Sequence, residues 1–126
     1  MVKLAEEICP STTLEKVKNG ALMVDVRREN EVKQITYDVE NYVNIPMHEL
    51  EDRIDELPKD REIVVVCRSG MRSLKSTYFL MNNGFENVFN MDGGILKWVN
   101  KNLPSKGDAQ GLIASANCDC SQPDCC

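Results

Sequence analysis

Apolar and polar positions along this chain follow two rhythms. Residues 21–26, "ALMVDV", and 62–67, "EIVVVC", are near-continuous apolar runs rich in β-branched residues. Such runs predict strands covered on both faces. Residues 42–46, "YVNIP", and 87–91, "NVFNM", are shorter versions, the first stopped by Pro46. Helical spacing fills the intervals. "STTLEKVKNG" (11–20) predicts a helix opened by a capping box of Thr12 with Glu15 and stopped at Gly20. Arg27 to Lys33 predicts a short helix with Glu29 and Glu31 near its start. "HELEDRIDELP" (48–58) sets Met47, Leu50, Ile54 and Leu57 on one helical face, with Pro58 as the stop. "SLKSTYFLMNNG" (73–84) predicts a helix ending at Gly84, and "GGILKWVNKNL" (93–103) a last one before Pro104.

Strands alternating with helices through short links predict an α/β domain around a mostly parallel sheet. Composition changes after Pro104, where "SKGDAQGLIASANCDCSQPDCC" is small, polar and short of core residues. The expected organisation is therefore a domain over 1–104 and a flexible, cysteine-rich tail over 105–126.

A chain of 126 residues fits one domain with one hydrophobic core. Its net charge of −5 argues against nucleic acid or an anionic membrane as partner. No run approaches the roughly 18 apolar residues that would span a bilayer. Glu6 and Glu7 stand where a signal peptide needs an apolar run, so a cytoplasmic, thiol-reducing location is expected. The six cysteines fit that location because they are not spread as a disulfide framework: four crowd residues 118–126.

Candidate chemistry centres on "VVVCRSGMRS" (64–73), a buried strand that ends on Cys67 and runs into a loop holding Arg68 and Arg72. In a parallel α/β sheet, chemistry collects at the carboxyl ends of strands. Residues Arg68, Ser69, Gly70, Met71, Arg72 and Ser73 can present backbone N–H groups as an anion-binding nest, and the following helix adds its positive end. These features favour a thiolate at Cys67 and make it a nucleophile. A cysteine after three valines can be a plain core residue, and loop arginines are often just solvated. The full order of Cys, Arg, Gly, Arg and Ser before a helix is hard to obtain from packing alone. For Arg72 two roles stand open: attracting an anion, or bracing the loop against an acidic side chain. Asp25 and Arg27 read as structural, since a charge within an apolar strand needs a buried partner. His48, the only histidine, reads as a surface or capping residue.

Four residues separate Cys67 from Arg72. Protein tyrosine phosphatases place one more there, which makes a wider loop. The tighter loop "CRSGMRS" resembles the active-site loop of the rhodanese (sulfurtransferase) family. "VDVR" (24–27) with Glu31, "NIP" (44–46) and "GGILKW" (93–98) are similar to that family's other elements, in the same order, over about residues 8–103. The chain departs from the family pattern ahead of "NIP". There "DVENYV" (38–43) stands in place of a His-Ile-x-Gly-Ala stretch, with Asp38 at the histidine.

The resemblance implies a three-layer domain with helices on both faces of the sheet and a single-domain sulfurtransferase with Cys67 as persulfide carrier. Arg68 to Ser73 would bind the substrate. It further implies a small sulfur donor such as thiosulfate or a persulfide, a thiol or cyanide acceptor, and no required cofactor. The alternatives are a cysteine phosphatase or arsenate reductase on a related scaffold, or a non-catalytic persulfide- or metal-binding module. The tail cysteines Cys118, Cys120, Cys125 and Cys126 suit zinc or copper(I) by number and softness, although their spacing is not that of a zinc knuckle. The other readings of the tail are cysteines with no fixed role and, beyond that, a tail thiol that accepts sulfur from Cys67.

Overall fold

A computed structural model describes residues 4–107. The chain runs β1 (Glu6–Ile8), α1 (Pro10–Lys18), β2 (Leu22–Asp25), α2 (Glu29–Gln34), β3 (Ile35–Tyr37), β4 (Tyr42–Asn44), β5 (Ile63–Val66), α3 (Met71–Asn82), β6 (Val88–Met91), α4 (Gly94–Asn100) and β7 (Ser105–Gly107). Five strands form one sheet in the order β1-β6-β5-β2-β4, and every pairing in it is parallel. β3 and β7 make a separate antiparallel pair.

Strand periodicity divides the core into two layers. Val64 and Val66 of β5 pack on one side of the sheet with Val17 of α1 and Ile95, Trp98 and Val99 of α4. Ile63, Val65 and Cys67 pack on the other with Leu80 of α3, Leu50 and Leu57. A central strand buried on both faces needs no polar alternation, which is why β5 reads as an unbroken apolar run.

The chain proceeds outward from β2 to β4 on one side and from β5 to β6 on the other. The strand order therefore reverses between β2 and β5, and a crevice opens at their carboxyl ends. Cys67 follows β5 directly, and Arg27 follows β2 by two residues.

Several elements differ from the sequence expectation. Helix α1 begins at Pro10, with Cys9 as N-cap, so the Thr12–Glu15 capping box does not form. Proline is pre-organised for the first helical position and moves the start upstream. Residues 47–57 form two 3₁₀ turns, Met47–Glu49 and Ile54–Glu56, rather than a helix. Leu50 and Leu57 are still buried while Met47 is exposed, so two turns satisfy the apolar spacing as well as a helix would. Helix α2 starts two residues late because Arg27 is drawn into the interior.

The described chain is held at and just past Pro104. The Trp98 indole N–H and the Asp38 amide both donate to the Pro104 carbonyl, at 2.7 and 3.0 Å, and Ser105–Gly107 then pairs with β3. This pairing uses backbone groups and leaves no apolar signature. No helix among the described residues is long and apolar enough to cross a membrane.

Candidate active site

The loop after β5 folds back on its own cysteine. Cys67 is fully buried, and its Sγ accepts a hydrogen bond from the Gly70 amide at 3.0 Å. Gly70 has φ +99°, in the left-handed region that suits glycine, and α3 starts at the next residue. The positive end of a 12-residue helix thus abuts the thiol. Ser69 and Met71 are exposed, Met71 at 66%, while Arg68 and Arg72 are half-buried and Ser73 is buried.

Neighbouring elements fix this loop from several sides. The Cys67 carbonyl accepts from the Ile95 amide at 2.9 Å and from the Tyr37 hydroxyl at 3.1 Å. The Arg68 carbonyl accepts from the Leu96 amide at 3.2 Å. Asn90 of β6 donates to the Gly70 carbonyl at 3.2 Å and accepts from the Ser73 hydroxyl.

Gly94 allows the first turn of α4 to approach this closely. A Cβ at Gly94 would overlap the Arg68 carbonyl and the Ser69 nitrogen, and φ there is +60°. The Gly94→Ala protein is therefore expected to lose about 100-fold or more in turnover, because a displacement of about 1 Å at a reacting group has that effect. Near-native far-UV circular dichroism together with that loss would confirm a local cause.

Arg72 pairs with an acidic side chain. Its Nη1 and Nη2 donate to Oε1 and Oε2 of Glu31, each at 2.7 Å. The Arg28 amide donates to the same Oε1 at 3.1 Å. Glu31 therefore clasps α2 to the start of α3. Hydrogen bonding from Arg72 holds its carboxyl down to about 2, from an ordinary value of 4.5. A depressed carboxyl stabilises the fold fully above its unfolded value and loses that contribution as pH falls towards about 2. Glu31→Gln is expected to cost about 1 kcal/mol at neutral pH, a modest value because the Arg72 side chain is 36% exposed. The gap between wild-type and variant stability should close as pH falls from about 4.5 to about 2, as followed by denaturant titration.

A buried ion pair lies behind the loop. Arg27 Nε donates to both Asp25 carboxylate oxygens at 3.0 Å, and Nη2 donates to Oδ2 at 2.7 Å. Nη1 donates to the Ile35 carbonyl at 2.8 Å, and the Tyr42 hydroxyl donates to Asp25 Oδ2 at 2.7 Å. Each charge is thus the buried partner that the other was expected to need. Burial works to discharge the Arg27 guanidinium, and the hydrogen bonds and charge of Asp25 outweigh it, leaving its pKa raised. Burial and the charge of Asp25 push the Tyr37 phenol well above its ordinary range, so it stays a donor to Cys67. Tyr37 packs edge-on against Trp98, with ring centroids 5.0 Å apart.

Tyr37 and Asn90 were missed in the sequence. Tyr37 lies one residue ahead of the departure at 38–43, which would have been the signal for it, while nothing singled out Asn90. A cleft of about 210 Å³ lined by Val26, Arg28, Met47, His48 and Arg72 opens beside the loop. Among the described residues, no group of three or more His, Cys, Asp or Glu could hold a metal ion. Cys118, Cys120, Cys125 and Cys126, expected to suit zinc or copper(I), lie outside the described residues.

The family model for the rhodanese-like domain matches residues 10–101. The chain belongs to the rhodanese-like domain family. It is 40% identical over 83 residues to a protein from Allochromatium vinosum named a sulfurtransferase, covering 66% of this chain and 76% of that one. It is 33% identical over 101 residues to the putative sulfurtransferase YtwF of Bacillus subtilis, covering 79% and 95%. The solution structure of the polysulfide-sulfur transferase homodimer from Wolinella succinogenes superposes with a TM-score of 0.74 at 26% identity, over 82% of this chain and 79% of that one. For a rhodanese-like domain, the central parallel sheet and its flanking helices are the expected frame, and the three-layer reading of the sequence holds.

Proposed function

We propose that the protein moves sulfane sulfur from a small donor such as thiosulfate to a thiol or cyanide acceptor through a persulfide on Cys67. The observation that carries this reading is the short loop in which the Gly70 amide donates to Cys67 Sγ at 3.0 Å, at the positive end of α3. Backbone donors and a helix terminus stabilise sulfur anions without a proton being supplied. The Cys67 thiolate attacks the outer sulfur of thiosulfate. A Cys67–sulfur bond forms, the sulfur–sulfur bond of the donor breaks, and sulfite leaves with that electron pair. An acceptor nucleophile then takes the outer sulfur, and Cys67 departs as thiolate.

Roles divide by geometry. Arg68 is a half-buried cation of the loop that draws in the anionic donor, and Ser69 and Met71 form the exposed rim of the binding loop. Gly70 and Ser73 hold the loop's shape through Sγ and Asn90. Arg72, committed to Glu31, braces the loop. No cofactor is needed by this sequence of steps.

Thiosulfate:cyanide transfer run beside an aryl phosphatase assay tests the reading. Transfer, with one added sulfur found on Cys67 by mass spectrometry, supports it. Phosphate release would instead favour a cysteine phosphatase, and turnover of neither would favour a binding module.

A further inference from the structure

Two clefts meet at Met47 and His48. The one beside the loop, of about 210 Å³, includes Arg28 and Arg72. The other, of about 300 Å³, continues from the same two residues to Leu50, Glu51, Lys75, Ser76 and Phe79. Arg72, Lys75, Ser76 and Phe79 fall at helical spacing on one face of α3, so the two clefts, which share Met47 and His48, follow one another along that helix from Arg72. With a rise of 1.5 Å per residue, Phe79 lies about 10 Å along α3 from Arg72, the span of about three extended residues. A few-atom ion such as thiosulfate or cyanide has no use for that length.

The lining is chemically mixed in a directed way. Only three large apolar side chains among the described residues are exposed: Leu4, Met47 and Met71. One of these, Met47, stands in the wall of both clefts. Exposed methionines beside a groove adapt to apolar side chains of a partner. Arg28 and Lys75 line the groove on a chain whose net charge is −5, so a local cationic strip stands on an acidic molecule.

We propose that this groove docks the sulfur acceptor, and that the acceptor is a cysteine in an extended protein segment with an acidic and an apolar residue within about three positions of it. The inference rests on the Cys67 persulfide reading. The acceptor thiolate meets the loop, the acidic side chain faces Lys75, and the apolar one packs on Met47 and Phe79. The thiolate attacks the outer sulfur of the Cys67 persulfide and forms a new sulfur–sulfur bond. The Cys67–sulfur bond breaks, and Cys67 leaves with the electron pair. The acceptor becomes the persulfide with no change in the overall electron count.

Full-length protein loaded with thiosulfate and freed of excess donor provides the test. Its persulfide is discharged by a short cysteine peptide carrying Glu and Leu after the cysteine, by the same peptide with Lys for Glu, by mercaptoethanol, or by cyanide. The acidic peptide is expected to react about tenfold faster than the lysine peptide and faster than mercaptoethanol. Lys75→Glu should reverse the peptide order and Glu51→Lys should sharpen it, while both variants discharge to cyanide at the wild-type rate. Equal rates for the two peptides, an order unchanged in Lys75→Glu, or mercaptoethanol matching the acidic peptide would overturn the docking proposal alone. Wild-type protein that takes up no sulfur, or holds it against cyanide, would overturn the persulfide reading and the docking with it.

Discussion

The Cys67→Ala protein is expected to fold and to lose thiosulfate:cyanide turnover by about 10⁴-fold or more, as removal of a covalent nucleophile does elsewhere. The side chain is fully buried and packs with Val24, Val26 and Ile45, so the missing sulfur leaves a small apolar gap. That gap and the lost acceptor for the Gly70 amide cost about 1–2 kcal/mol, a shift of a few degrees in thermal midpoint. Activity and stability are thereby separated. The two measurements are initial transfer rate and thermal melting on the same preparation. A variant that retains more than about a hundredth of wild-type turnover would rule out Cys67 as the sulfur carrier.

Asp25→Ala is expected to act in the opposite way, through the fold. It leaves the Arg27 guanidinium, 1% exposed, without its carboxylate, and it removes the acceptor of the Tyr42 hydroxyl. Breaking a buried ion pair from one side costs about 3–5 kcal/mol. Against a total of about 5–15 kcal/mol for a domain, that is enough to leave a substantial fraction unfolded at 37 °C. Replacing both partners with apolar residues, Asp25→Val with Arg27→Met, should recover part of the loss, since no charge is then stranded. The Ile35 carbonyl and the Tyr42 hydroxyl would still lose their bonds to Arg27 and Asp25, so recovery stops short of wild type. Urea titration of the two single variants and the double variant measures the coupling. A single variant as stable as wild type would show that the pair is dispensable.

Much of this architecture could be read from residue order. β5 and α3 announce themselves because an all-buried strand and a 12-residue amphipathic helix leave long, unambiguous patterns. β1 escaped notice since it is an edge strand in which Glu6 and Glu7 face water. β3 and β7 escaped because they pair through backbone groups over three residues each. At the site, Cys67 with its two arginines was legible, and the balance between Arg72's two roles was not. That balance depends on Glu31 lying across from it after folding, 41 positions away in sequence. Asn90 illustrates the same limit: a polar residue within a short apolar strand points inward, yet only the folded chain shows that it grips Gly70 and Ser73.

The alternation of β5 between the two sides of the sheet has a consequence for how such a chain can vary. Ile63, Val65 and Cys67 share one side, and Val64 and Val66 the other. Losing or gaining one residue between Ile63 and Val66 would invert this parity and turn the sulfur towards Trp98. A change of length is therefore excluded within β5, which must keep its count.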